Sequence, residues 1–223
     1  MKCLAVADTH GYHEYLPVYE DIDILFYAGD STNYHDININ QSEFQSFFKW
    51  LRNYPAKHKV VIAGNHDAWA TRSHNIQTLF DYDIIYLEHD MTTINGLTIV
   101  SSPYTPSYKN WYFMKNRSSI GKYWAKFPDK ADIIITHGPP KGILDLTFEQ
   151  DSEEIIMVGD KSLLNRVLEI KPKYHIFGHV HNNKDIINQG IRIYQDITFI
   201  NCSAVNNGEF TKGLSSNGIL FDI

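Results

Sequence analysis

With 223 residues, 43% of them hydrophobic, the chain has material for one large domain or two small ones, and its apolar content excludes a disordered chain. A net charge of −6 and a pI of about 6.0 argue against a surface built to grip long nucleic acid. No apolar run approaches the ~20 residues of a membrane helix, and the N-terminus already reads as a strand rather than a signal peptide, so a soluble cytoplasmic protein is expected.

In chain order, Lys2 to Ala7 reads as a first strand that stops at Asp8-Thr9-His10-Gly11. Ile22 to Ala28 is a second, ending at Gly29-Asp30, and a polar loop from Ser31 to Asn40 follows. Gln41 to Asn53 is the clearest helix, with Phe44, Phe47, Phe48 and Leu51 on one face and Pro55 as its stop. Lys59 to Ala63 is an apolar, β-branched strand leading into Gly64-Asn65-His66-Asp67. Thr71 to Asp81 reads as a short helix or irregular chain. Ile84 to Leu87 and Leu97 to Ser101 are short strands, with Asn95-Gly96 as a turn signal. Ser102 to Arg117 is a long loop carrying Tyr104, Tyr108, Trp111, Tyr112 and Phe113, and a loop of that length in a compact domain is often functional.

Ser118 to Phe127 reads as helical, and Ala131 to Thr136 as a strand ending at His137-Gly138-Pro139-Pro140. Asp145 to Gly159 is acidic and weakly patterned, a surface excursion. Asp160 to Glu169 is a helix stopped by Pro172, and Tyr174 to Phe177 a strand ending at Gly178-His179-Val180-His181. Ile191 to Tyr194, Thr198 to Cys202 and Gly218 to Ile223 read as antiparallel strands. Neither a repeat nor a linker interrupts the chain, so one domain over residues 1–223 is expected. Strands alternating with helices early and clustering late point to a layered α/β sandwich. Cys3 and Cys202 sit in apolar strands and read as small buried hydrophobes rather than a disulfide.

The chemistry lies at five strand ends: Asp8-x-His10, Gly29-Asp30, Gly64-Asn65-His66-Asp67, His137 and Gly178-His179-x-His181. Ligands bind at the carboxyl ends of strands in α/β sheets. If these ends share one edge, carboxylates and imidazoles crowd together, poorly solvated unless cations join them. Carboxylate and amide oxygens mixed with imidazoles suit Mn, Fe, Zn or Ni. Two ions about 3.5–4 Å apart would share a water and lower its pKa toward neutrality. Asp-x-His or Gly-Asp alone is a weak signal; the ordered set is a strong one.

That set resembles the calcineurin-like metallophosphoesterase superfamily. Ser102-Pro103-Tyr104-Thr105-Pro106, Thr136-His137-Gly138-Pro139-Pro140, Tyr174-His175-Ile176-Phe177-Gly178-His179 and Phe199-Ile200-Asn201 are further similar to its small brain-type subgroup of phosphodiesterases. The resemblance implies a β-sandwich flanked by helices and two divalent ions, Mn²⁺ first, with iron, zinc or nickel as alternatives. It implies Asp8, His10 and His181 on one ion, Asn65, His137 and His179 on the other, and Asp30 bridging. His66, touching neither ion, is implied as phosphate stabiliser and general acid, and Asn65 as a second catalytic contact through its amide. The implied mechanism is in-line attack of a metal-bridging hydroxide on phosphorus.

Protein Ser/Thr phosphatases of the superfamily extend Gly-Asp into Gly-Asp-x-x-Asp-Arg, where this chain has Asn33 and Tyr34. A dianionic phosphoprotein would find fewer cations here, which favours diesters. Tyr104, Trp111 and their aromatic neighbours are candidates to stack on a nucleobase, at ~1–3 kcal/mol per base, or to pack against one another. Arg117 is a candidate for a substrate phosphate or for a surface acid. His175 reads as a core histidine, and Lys57-His58-Lys59 as a solvated strand start. The leading expectation is a phosphodiesterase acting on a small phosphodiester or nucleotide, without a membrane or a dedicated nucleic-acid surface. The alternatives are a nuclease or phosphomonoesterase on nucleic-acid ends, and a scaffold that kept the fold without the chemistry.

Overall fold

Strands such as Ile133–Thr136 carry no polar alternation, so both of their faces need cover. The computed structural model describes residues 1–72, 76, 83–206 and 213–223, and there two sheets stack face to face with helices outside them. With strands numbered along the chain, the first sheet runs β15 (Ile219–Asp222), β1 (Lys2–Val6), β2 (Ile22–Ala28), β3 (Ala56–Ile62), β4 (Ile84–Tyr86). β1 to β4 are parallel and β15 is antiparallel at the edge. The second runs β13 (Gly190–Tyr194), β14 (Ile197–Asn201), β12 (Tyr174–Phe177), β9 (Ile133–Thr136), β6 (Leu97–Ser102), β5 (Met91–Ile94). Its four inner strands are parallel and its two edges antiparallel.

Successive side chains point to opposite faces of a strand, and this sorts residues into layers. Cys3, Ala5, Ile24, Phe26, Val60 and Ile62 meet Ile99, Ile133, Ile135, Ile176, Ile200 and Cys202 between the sheets. The intervening Leu4, Val6, Leu25, Tyr27 and Val61 pack with Phe44, Phe47 and Leu51 of α1 (Ile37–Asn53). On the other side Val100, Ile134, Phe177 and Phe199 pack with Trp124 of α2 (Gly121–Trp124) and with Leu163 and Val167 of α3 (Lys161–Ile170). The layered sandwich expected from the sequence is therefore observed. Both cysteines are buried and free in the inner layer.

Several elements differ from their sequence reading. Helix α1 begins at Ile37, inside the expected loop, because the Asp36 carboxylate caps the amides of Asn38 and Ile39. Asn40 occupies a buried position of α1 that an apolar residue would normally fill. Its amide donates to Thr32 Oγ1, Tyr34 O and His66 O, and its oxygen accepts from Trp69 N–H. β14 pairs parallel with β12, so only β13 and β15 of the tail are antiparallel to their neighbours. The excursion from Asp145 to Gly159 folds into a hairpin of β10 (Leu146–Phe148) and β11 (Ile155–Met157). The Ser118–Phe127 helix shrinks to the single turn of α2. Lys59 is buried and paired with Asp83 rather than solvated. Most of the Thr71–Asp81 stretch lies outside the described residues.

Register brings the strand ends to one level. Val6 lies beside Tyr27 and Tyr27 beside Val61, while in the other sheet Ser102 lies beside Thr136. A parallel bridge between Ala7 and Ser203 then joins the sheets at that rim, with Ala7 N–H donating to Cys202 O at 3.0 Å and Ala204 N–H to Ala7 O at 2.9 Å.

Candidate dimetal centre

Leaving a parallel strand and turning at once into a shared pocket demands unusual backbone. Asp8, His10, Asp30 and His179 all take positive φ, at 55°, 44°, 55° and 70°. Such residues cost of order 1–3 kcal/mol each and persist where their surroundings over-determine them. Two glycines allow the close approach. A Cβ on Gly64 would collide with the Asp30 carboxylate, and one on Gly178 with that of Asp8.

The side chains then converge. Asp30 Oδ2 lies 3.3 Å from His137 Nε2 and 3.9 Å from His10 Nε2. Asp8 Oδ1 lies 3.7 Å from His181 Nε2, and His137 Nε2 2.9 Å from Asn65 Oδ1. Ligand atoms of Asp8, His10 and His181, of His10, Asp30 and His66, and of Asp30, His137 and His179 form three groups, each within 4.8 Å. Two ligands bonded at ~2.0–2.1 Å to a common ion sit roughly 3–3.5 Å apart or more, so the carboxylate–imidazole spacings suit shared cations, while His137 and Asn65 stand at hydrogen-bond distance.

The surrounding hydrogen bonds point the same way. Ligating histidines ordinarily donate their second ring N–H to a carbonyl or carboxylate. His137 Nδ1 lies 2.8 Å from Ala28 O and His10 Nδ1 3.2 Å from Thr32 O, which turns each Nε2 inward. Asp8 Oδ2 accepts from His179 N–H at 2.8 Å and from the Ser203 hydroxyl. Its Oδ1, fully buried, has no hydrogen-bond donor among the described residues, which an ion would remedy. Asp30 Oδ1 accepts from His66 N–H at 2.7 Å, leaving Oδ2 to face the imidazoles. The residues present thus fit two divalent ions with Asp30 between them.

Burial and mutual charge set the protonation of these side chains. Burial pushes the Asp30 and Asp8 carboxyls up, but the histidines around them outweigh it and hold both below the usual range. Burial opposes charge on His137 too, yet Asp30 beside it raises its pKa to about 9. Burial takes His10 and His179 down to about 3. A proton on His137 therefore supplies the positive charge that the carboxylates demand.

His66 stands over this cluster. Its Nδ1 lies 3.0 Å from Asn33 O, so a backbone carbonyl orients the ring where the protein phosphatases carry an Asp side chain. Asp67 and Ser203 are site residues that sequence reasoning missed. Asp67 accepts from Gly64 N–H (2.7 Å), Asp30 N–H (2.9 Å), Ser31 Oγ (2.8 Å), Thr32 N–H (3.1 Å) and Thr32 Oγ1 (3.0 Å). Burial and the Asp30 charge raise its pKa to about 6. Its position closing Gly-Asn-His-Asp was the available signal; Ser203 had none.

The three candidates for substrate contact separate. Trp111 reaches the site, but stacks on His66 at 4.0 Å between ring centroids. Tyr104 packs against Tyr123 at 4.8 Å and His89 at 5.4 Å, under the Lys115 ammonium, as a loop aromatic among its neighbours. The Arg117 guanidinium donates to Gly159 O at 3.1 Å and Val158 O at 2.6 Å, so it ties the hairpin to the start of α3, and among the described residues it pairs with no acid.

A two-sheet sandwich carrying a buried Asp/His/Asn cluster at its rim has the make-up of a metal-binding hydrolase. Residues 1–183 match the calcineurin-like phosphoesterase family, and the chain belongs to it. UPF0046 protein K07C11.7 of Caenorhabditis elegans is 33% identical over 223 residues, covering 93% of this chain and 71% of that one. Metallophosphoesterase domain-containing protein 1 of Homo sapiens is 29% identical over 233 residues, covering 92% and 68%. These relatives match the brain-type subgroup that the sequence motifs resemble. The phosphopantetheinyl hydrolase of Mycobacterium tuberculosis superposes with a TM-score of 0.57 at 14% identity, over 99% of this chain and 95% of that one, which speaks to the fold alone. No helix among the described residues is long and apolar enough to cross a membrane.

Proposed function

We propose that this chain is a two-metal phosphodiesterase acting on small phosphodiesters, cyclic or linear nucleotides among them. The observation that carries the reading is Asp30, whose one carboxylate belongs to two ligand groups, with His10 on one side and His137 on the other. Asp8, His10 and His181 would hold one ion, Asn65, His137 and His179 the other, and Asp30 both. Two such ions lower the pKa of a shared water and neutralise phosphoryl oxygens. The mixed oxygen and imidazole donors suit Mn²⁺ as the working metal, with iron, zinc or nickel as competitors.

The remaining work falls to the chain. His66 donates through Nδ1 to Asn33 O, and its ring lies beside His10 and Asp30, where Nε2 would serve the reaction. As the P–O bond to the leaving group breaks, the departing oxygen takes the Nε2 proton, a step that contributes typically 10²–10⁴-fold for a poor leaving group. Preference for a diester is supported by the scarcity of cations. Lys59 is the one buried Lys or Arg among the described residues, and it pairs with Asp83. A diester's single charge needs no further cation.

The test compares bis-p-nitrophenyl phosphate with p-nitrophenyl phosphate in added Mn²⁺, then 2′,3′- and 3′,5′-cyclic nucleotides with short oligonucleotides. Faster turnover of the diester and of cyclic nucleotides is expected. Preference for the monoester, or for oligonucleotide ends, contradicts the reading. His66→Ala is expected to keep the metals and lose most turnover on an alkyl ester, but less on p-nitrophenol, which leaves without a proton. Equal loss on both contradicts the acid role.

A further inference from the structure

Trp111 belongs to the loop between β7 (Thr105–Pro106) and β8 (Met114–Lys115), which pair in parallel and close its base. The loop reaches the strand end that bears His66. Tyr112 N–H donates to Asn65 O at 3.2 Å, and the His35 ring lies 5.3 Å from Trp111 and 5.0 Å from Tyr112, with its Nε2 3.0 Å from Asn110 O. Trp111 then lies on the imidazole of His66 with 28° between the planes, while His10 meets the same imidazole edge-on at 4.6 Å.

The final torsion of a histidine is broad. The hydrogen bond from Nδ1 to Asn33 O fixes one edge of the ring, and rotation about that bond still changes the tilt. A stacked indole restrains the tilt, and the edge of His10 limits it from another side. The same stack occupies an indole face that a nucleobase would need.

We propose that Trp111 is a positioning residue for His66: it sets the tilt of the imidazole so that Nε2 faces the Asp30 cluster. This rests on the reading of His66 as the proton donor to the leaving group. It also assigns Trp111 a role other than substrate stacking. Orientation errors near 1 Å can cost 10²-fold in rate, so loss of the stack should appear in kcat rather than KM.

The experiment compares Trp111→Leu, Trp111→Phe and His66→Asn, with Mn²⁺-loaded protein for kinetics and protein loaded with diamagnetic Zn²⁺ for NMR. Histidine ring resonances are recorded by NMR, and those of His66 are identified by their loss in His66→Asn. In the unaltered protein they should be displaced upfield by the indole, and they should return toward ordinary values in Trp111→Leu. The kcat of Trp111→Leu should fall about 10- to 100-fold on an alkyl diester, with KM unchanged and a smaller loss on a p-nitrophenyl diester. Trp111→Phe, which keeps an aromatic face, should recover most of the rate. Unmoved His66 resonances overturn the proposal, as does a rise in KM with kcat intact, which would make Trp111 a substrate contact. If His66→Asn itself shows no leaving-group selectivity, the proton-donor reading fails, while the resonance shift still decides whether Trp111 positions the ring.

Discussion

Asp67 is the residue whose removal tests how the centre is held. One of its oxygens accepts the backbone N–H groups of Gly64 and Asp30, and the other accepts Thr32 N–H and two hydroxyls. In Asp67→Asn the amide's best orientation keeps its oxygen on Gly64 and Asp30. Its NH₂ then meets the Ser31 and Thr32 hydroxyls, which rotate to accept, and Thr32 N–H, which cannot. An orphaned buried N–H costs about 1–3 kcal/mol, and each surviving bond loses its charge assistance, worth about 1 kcal/mol. Relief of burial and of the Asp30–Asp67 repulsion, which together raise the Asp67 pKa to about 6, offsets most of this, so Asp67→Asn should unfold within about 1 kcal/mol of the unaltered protein. Asp67→Ala strands all five donors, three of them backbone N–H groups, and should cost about 2–4 kcal/mol, large against a domain's typical 5–15 kcal/mol. The assay is denaturant unfolding of chelator-treated protein at pH 7.5, followed by Mn²⁺ titration calorimetry. Binding should weaken in Asp67→Ala, where the Asp30 amide loses its anchor. If Asp67→Ala unfolds within about 0.5 kcal/mol of the unaltered protein, the account of the Asp30 loop is wrong.

Three further outcomes follow from the structure. Asp30→Ala should lose both ions by elemental analysis, whereas His181→Ala and His137→Ala should each lose one; two ions retained in Asp30→Ala would remove the bridge. His175 is buried with its pKa lowered from 6.5 to about 3, and its Nε2–H donates to Thr136 Oγ1, whose own hydrogen goes to Gly138 O. The unfolded chain binds the extra proton between those values, so stability falls as pH drops below 6.5, by about 2 kcal/mol at pH 5. His175→Phe, placed beside Phe177 and Phe199, should shrink the gap between unfolding free energies at pH 7.5 and pH 5 by that amount, and an unchanged gap contradicts it. Phe47, fully buried between α1 and the first sheet, should cost about 3–5 kcal/mol as Phe47→Ala, measured by denaturant unfolding, with metal stoichiometry unaltered.

The layers and the strand ends were legible because each rests on local pattern: an apolar run, then a glycine, then ligating side chains. The candidate ligands Asp8, His10, Asp30, Asn65, His137, His179 and His181 do meet at one rim, as their positions implied. What escaped the sequence depends on contacts between distant segments or on backbone atoms. Residue 33 orients His66 through its carbonyl, so comparing its side chain with an Asp looked at the wrong group. Asn40 hid the first turn of α1 because its buried amide serves the loops at 32–34 and 66–69 instead of fitting an apolar stripe. Ser203 reaches Asp8 across 195 positions of chain, and Trp111 reaches His66 only through the folded loop. Arg117, a phosphate candidate by charge alone, is spent on backbone carbonyls.

The central claim is that one carboxylate sits between two cations, and anomalous diffraction from crystals grown with Mn²⁺ tests it most directly. Two peaks about 3.5–4 Å apart, flanking Asp30, with one beside Asp8, His10 and His181 and the other beside Asn65, His137 and His179, are the expected result. A single peak, or peaks away from Asp30, would contradict it.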